Sequence, residues 1–335
     1  MAIRADLQQR LTEAQEAGMC LCSTSESDDR RLRAACTRGD LLSPFRHVYV
    51  DSAVWKDLKP NVRELFRLRA IAMLHPNWVF ADVSAALIHG FAVSYSLLGR
   101  VHILTAPRSH SRSNKEIKRH LASTVEETKI DGIRVTSATR TAFDCLRTYG
   151  FRESLAVGDS VLRICEMTND QLANAFDAYN RSHVHKTRAI QIAELCNGRA
   201  ENGGESIARA VMIEQGFQIP SLQVEIPNIA NPADPYRVDF FWQLEDTRVA
   251  GELDGREKYR NPKMTKGRDV VDVMADERLR ESRISATGVR IMRFSYADVI
   301  NAQKFCMILR TFGIPSGFEV PEVALPKKVT SRLST

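Results

Sequence analysis

The sequence has no pair of cysteines at CxxC spacing. Its seven cysteines, Cys20, Cys22, Cys36, Cys145, Cys165, Cys196 and Cys306, are odd in number and have no neighbouring histidines. That pattern excludes a disulfide framework, argues against a zinc site, and suits reduced thiols in a cytosol. The start, Met1-Ala2-Ile3-Arg4-Ala5-Asp6, lacks the apolar stretch of a signal peptide, so a cytoplasmic protein is expected. No long apolar run is uninterrupted. The nearest approach, Trp78 to Gly99, contains Asp82 and His89 and is broken at Gly90, which predicts a buried helix–turn–helix and no membrane partner. Internal repeats and low-complexity tracts are also lacking.

What is there points to a folded, multidomain chain. At 335 residues it exceeds one ordinary core and fits two or three domains; with 44% hydrophobic and 26% charged residues it has the balance of a soluble globular protein. The net charge of +6, from 47 Lys and Arg against 41 Asp and Glu, suits a polyanionic partner without demanding one.

The first segment, residues 1–55, reads as two helices and a hairpin. Leu7, Leu11 and Ala14 recur at helical spacing before Gly18, and Leu32, Ala35 and Cys36 share a face of a second helix that runs from Ser25 to Gly39. Two short β-type runs around a turn centred on Pro44 follow, and the whole predicts a winged helix. In that module Arg30, Arg31, Arg33 and Arg38 are candidate DNA phosphate contacts; the alternative is that they form a solvated face.

A middle α/β segment, residues 56–198, alternates strand-like runs such as Val101 to Leu104 and Ile133 to Val135 with helices, and shows no catalytic spacing. Its basic stretch, Arg108 to Lys115, reads as an exposed loop that could also touch phosphate. The run Asn197 to Gly204, with three glycines and two asparagines, reads as the boundary to a third segment, residues 199–335.

That third segment has the order αβββαβ. Glu205 lies in the first turn of a helix that carries Ile207, Ala208, Val211 and Met212 on its apolar side. In the next strands Asp239 lies off the face of Val238 and Phe240, and the two-residue period puts Glu252 and Asp254 on one side. Such carboxylates must meet cations, donors or water. They supply hard oxygen ligands for Mg²⁺ or Mn²⁺, with Asp239, Glu252 and Asp254 as candidate metal ligands. The alternative is an ion-pair network with Arg209, Arg237, Arg256 or Lys258.

This ordered set resembles the PD-(D/E)XK nuclease superfamily, within it the domains similar to very-short-patch-repair endonucleases, over about Gly203 to Ile300. The resemblance rests on Glu205, on Val238-Asp239-Phe240, and on Glu252-Leu253-Asp254-Gly255. It implies a restriction-endonuclease-like fold in which Glu205 is the helix carboxylate and Asp239 and Glu252 hold the metal. The superfamily's lysine is replaced by Asp254, and Arg278 on the following helix stands where the subgroup's cation is expected. Arginine keeps the charge but transfers protons poorly. The front of the chain, through Arg38-Gly39-Asp40-Leu41, Val48-Tyr49-Val50, Val83 to Gly90 and Thr136 to Thr141, resembles AbiEi-type antitoxins of abortive-infection toxin–antitoxin systems. There the usual glycine before Val-Tyr is His47. That resemblance implies operator DNA and a cognate toxin as partners. Two functions follow as expectations: a metal-dependent DNA endonuclease, or a non-catalytic antitoxin and autorepressor with a degenerate nuclease fold. A purely protein-binding immunity factor is a third class.

Overall fold

The computed structural model describes residues 5–106, 113–122, 126–179, 185–254 and 270–325. The chain is mixed α/β with several small sheets, and it divides into two compact units, Met1–Thr148 and Tyr149–Thr335. No helix among the described residues is long and apolar enough to cross a membrane.

The first unit begins with α1 (Ala5–Glu16), β1 (Leu21–Cys22), α2 (Glu26–Arg38), β2 (Leu41–Phe45) and β3 (Val48–Asp51). The helix faces pack as their spacing requires, with Leu7, Leu11, Leu32, Ala35, Leu41 and Tyr49 buried together. Ser25 caps α2 by accepting from Asp28 N–H, and Gly39 ends it at φ 86°, a conformation that costs glycine nothing. The hairpin turn falls on Arg46 and His47 rather than on Pro44. Pro44 sits instead in β2, between Leu42 and Phe45, where the register to β3 shifts; a bulge tolerates a residue that cannot donate to the ladder. His47 has φ 63°, a left-handed conformation uncommon for a residue other than glycine.

The rest of the first unit is α3 (Ser52–Asp57), α4 (Pro60–Leu74), α5 (Asp82–Ile88), β4 (Val101–Thr105), β5 (Ile117–Leu121), β6 (Glu127–Ile130), β7 (Ile133–Thr136) and α6 (Ala138–Thr148). Strands β4 and β5 are parallel, and β6 and β7 form an antiparallel hairpin. The expected helix–turn–helix over Trp78 to Gly99 is half right. Helix α5 is buried, but after Gly90, at φ 82°, only a single 3-10 turn forms at Tyr95–Leu97. Left-handed glycines, Gly90 and Gly99, bound that stretch. His89 lies at the end of α5, half-buried, and donates to Thr136 O at 2.8 Å.

The second unit opens with α7 (Phe151–Ile164), α8 (Asn169–Asp177), α9 (Lys186–Leu195) and α10 (Gly203–Glu214). It continues through β8 (Ser221–Ile226), β9 (Tyr236–Gln243), β10 (Arg248–Asp254), α11 (Val270–Ala286), β11 (Val289–Ser295), α12 (Tyr296–Ile300) and α13 (Ala302–Thr311). The sheet order is β11-β10-β9-β8, antiparallel except for the parallel pair β10 and β11. The segment read as a linker is packed. Asn197 N–H donates to Asp159 at 2.7 Å, and a Cβ on Gly198 would meet Leu162 Cβ at 3.0 Å and Arg163 N at 3.1 Å. Its glycine serves close approach to α7 rather than freedom between domains. A buried ion pair, Asp159 to Arg209 at 2.6 Å, then joins α7 to α10, so helices read as the end of a middle domain belong to this unit.

Candidate functional site

Glycines position the acidic cluster. A Cβ on Gly204 would meet Leu253 Cδ2 at 2.8 Å and Asn202 Oδ1 at 3.0 Å, so the first turn of α10 lies close to β10 at this glycine. Asn202 caps that turn, accepting from the N–H groups of Gly204 and Glu205. A Cβ on Gly251 would meet Trp242 Cζ3 at 3.0 Å and Phe240 Cβ at 3.2 Å, so the glycine lets β10 lie close to the aromatic face of β9. Past the pair Gly251 and Phe240 the ladder gives way to a side chain: Asp239 Oδ2 accepts from Leu253 N–H at 3.0 Å.

Glu205 is 2% exposed. Its carboxyl accepts from Glu201 N–H at 2.8 Å, from Gln223 Nε2 at 3.1 Å and from the Asn202 amide. Burial nevertheless pushes its pKa up to about 7, and the neighbouring negative charges of Asp239 and Glu201 add to the rise. Glu205 and Asp239 therefore share one electrostatic environment at the end of the sheet.

The other two acids are matched to guanidinium groups. Glu252 Oε1 accepts from Arg280 at 2.5 Å, and Arg280 also donates to Arg237 O at 2.6 Å. Asp254 pairs with Arg293, whose Nε donates to Oδ1 at 2.9 Å, and Arg293 reaches Glu277 at 3.4 Å. Burial works against the charge on Arg293, but Asp254 and Glu277 outweigh it and raise its pKa. Among the described residues the four acids do not supply three ligand atoms within 4.8 Å of one another. They are gathered at one end of the sheet as two partnered sets.

The arginines that do this differ from those expected. Arg209 is taken by Asp159 and Arg237 by Glu201, while Arg256 and Lys258 lie outside the described residues. Arg278 is exposed on α11, and Arg280 makes the contact with Glu252. Ile284, fully buried, marks the inward face of α11; counting back four and seven residues gives Arg280 and Glu277, a signal the sequence contained.

In the first unit Arg30, Arg31, Arg33 and Arg38 are all exposed. Arg30 and Arg33 line a cleft of about 610 Å³ at the start of α2, together with Arg46 and His47 from the hairpin turn. Arg31 and Arg38 do not line it, and Arg38 pairs with Asp40 at 2.9 Å. Arg46 was not anticipated. Asp29 ties the cleft together by accepting from Tyr49 Oη at 2.6 Å, from His47 Nδ1 at 2.8 Å and from Ser23 at 3.1 Å, with Arg33 at 2.8 Å. Burial alone would raise the Asp29 pKa, but these donors hold it down at about 2. Residues 108–112 of the basic stretch lie outside the described residues.

One further group was missed. Asp82, His102 and His120 bring one ligand atom each within 4.8 Å of the others. Asp82 and His102 are buried, and burial pushes the His120 pKa down to about 4.

No protein family's sequence profile matches the chain. Two uncharacterized proteins of Mycobacterium tuberculosis, MT2308 (strain CDC 1551 / Oshkosh) and Rv2248 (strain H37Rv), are each 28% identical to it over 179 residues. That stretch is 53% of this chain and 63% of theirs, so the chain spans less than two thirds of the length of these relatives. The crystal structure of the RV2827C protein from Mycobacterium tuberculosis superposes with a TM-score of 0.33 at 11% identity, over 62% of this chain and 82% of that one. A likeness of that size does not inform the fold.

Proposed function

We propose that the protein binds DNA through a winged-helix-type module at its front and hydrolyses phosphodiester bonds with a PD-(D/E)XK-type endonuclease domain in its second unit. The observation that carries this reading is the meeting of Glu205 and Asp239 beside Leu253, next to Glu252, on a sheet of order αβββαβ. The donor set is all oxygen, which suits Mg²⁺ or Mn²⁺ rather than a softer ion. Arg280 on Glu252 and Arg293 on Asp254 stand in for that cation's charge, so Asp239 and Glu252 would hold a metal only as Arg280 gives up its carboxylate. A bound divalent ion there supplies acidity to an attacking water and neutralises charge on the phosphate. Glu205, with a pKa near neutrality, is suited to hold or release a proton beside Asp239.

The test is cleavage of single- and double-stranded DNA by the full chain with Mg²⁺ or Mn²⁺. Cutting by the wild type, abolished in Asp239→Asn with DNA retention unchanged, is the expected result. No cutting by the wild type or by Arg280→Lys, which restores a lysine beside Glu252, overturns it.

A second reading, a non-catalytic antitoxin and autorepressor with a toxin partner, is favoured by one observation: the arginine pairs already satisfy Glu252 and Asp254. Operator binding without cleavage, beside a neighbouring gene for a nucleotidyltransferase-like toxin, would establish it.

A further inference from the structure

The triangle formed by Asp82, His102 and His120 has edges that decide its chemistry. His102 Nδ1 and His120 Nε2 lie 3.4 and 3.5 Å from Asp82 Oδ2, and the two ring nitrogens are 3.1 Å apart. An imidazole–carboxylate hydrogen bond would draw its atoms to about 2.7–2.9 Å when charge-assisted. A tetrahedral ion with bonds of about 2.0–2.1 Å holds neighbouring ligand atoms about 3.3 Å apart. The observed edges lie around the second value. Both histidines turn the nitrogens named here toward the same carboxylate oxygen.

The surrounding backbone holds this arrangement in place. Asp82 opens α5 at φ 51°, a left-handed conformation that aspartate adopts only at some cost. On either side of His102 the strand is tied to that helix start: Ala81 N–H donates to His102 O at 3.0 Å, and His102 N–H donates to Ser84 Oγ at 2.9 Å. In the parallel pair Leu104 stands beside His120, which puts His102 and His120 two residues apart along one face. The carboxylate is oriented from behind, where Cys145 Sγ lies 3.6 Å from Asp82 Oδ1, in the manner of an outer-shell donor. Asp82 and His102 side chains are 2% and 5% exposed, while His120 is 22% exposed and is the most accessible of the three.

We propose that Asp82, His102 and His120 bind a divalent ion of the zinc class, with two imidazole nitrogens and one carboxylate oxygen as ligands and a fourth position for water or an incoming ligand. The seven cysteines gave no zinc pattern, and this site uses none of them as a ligand. It is independent of the acidic cluster and of the nuclease reading.

The test uses untagged, full-length protein, stripped with chelator, loaded with Zn²⁺ and desalted. One zinc per chain and a raised unfolding temperature are expected. Both are lost in His120→Ala, the change at the most exposed ligand, and both are kept in Glu252→Gln. Loading with Co²⁺ reports geometry without any mutation: intense tetrahedral visible bands without a thiolate charge-transfer band are expected. Zinc retained equally by His120→Ala overturns the proposal. So does a wild type that takes up none, or a Co²⁺ spectrum as weak as that of the aqueous ion.

Discussion

Buried carboxylates in the two units meet their charge in opposite ways. In the second unit Asp159 is held by Arg209, a pair 1% and 4% exposed that also anchors Leu195 O and Asn197 N–H. In the first unit Asp82 faces two imidazoles and a thiol. A guanidinium meets a carboxylate with fixed donors and offers no lone pair of its own, whereas imidazole nitrogens keep lone pairs that a cation can use. Glu205 falls between the two, with amide donors and a pKa left near neutrality. The difference teaches that the chemistry a buried acid offers is set by the kind of partner beside it, guanidinium, amide or imidazole.

The largest effect is expected where the partner of the acid is a buried guanidinium. Arg209→Met strands Asp159 in the core and should cost about 3–5 kcal/mol in chemical denaturation of the second unit, the usual consequence of breaking one half of a buried pair. A loss below about 1 kcal/mol would mean that Asp159 takes up a proton instead, and the contrast with Asp82 would collapse.

Glu205 sharpens the middle of the scale. Its folded pKa of about 7 lies above its ordinary 4.5. The folded state thus keeps a proton that the unfolded state has lost between those two values, so this contribution is fully present below pH 4.5 and is lost as pH rises to 7. The span corresponds to about 3 kcal/mol. Glu205→Gln cannot titrate, and its stability should stay flatter than wild type across this window in denaturation at pH 5 and pH 7.5. An equal slope in both proteins would remove Glu205 as the titrating group.

Exposed charges lie at the far end, since water already solvates them. Replacing Arg30 and Arg31 with Ala should change stability by no more than about 0.5 kcal/mol. DNA affinity should nevertheless fall, with the salt dependence losing about one unit of slope per phosphate contact. An unchanged slope would move the contact elsewhere, with Arg46 the next residue to replace.

Much of this was legible in the chain and some was not. The faces of α1 and α2 followed from the spacing of Leu7 and Leu11 and of Leu32 and Ala35, and these residues are buried together. Both of the ends expected for α2 hold, because Ser25 and Gly39 are caps whose chemistry is local. The motif points to Arg278, whereas the face set by Ile284 brings Arg280 to Glu252. The glycines of Asn197 to Gly204 were read as freedom, but Gly198 and Gly204 are there for contact, and composition does not separate the two uses. Asp82 was noticed only as an interruption of an apolar run, when a buried acid in such a run was itself the signal.

The sequence by itself determined the elements, their caps and the placing of Glu252 and Asp254 on one side of a strand, because these depend on periods of two and 3.6 residues that a short stretch contains. Only the tertiary structure decided that Arg280 and Arg293 would reach those acids and that His102 and His120 would close on Asp82. Those pairings depend on which strand lies beside which and on how closely a glycine lets a helix approach, and both are set by packing between residues far apart in the chain.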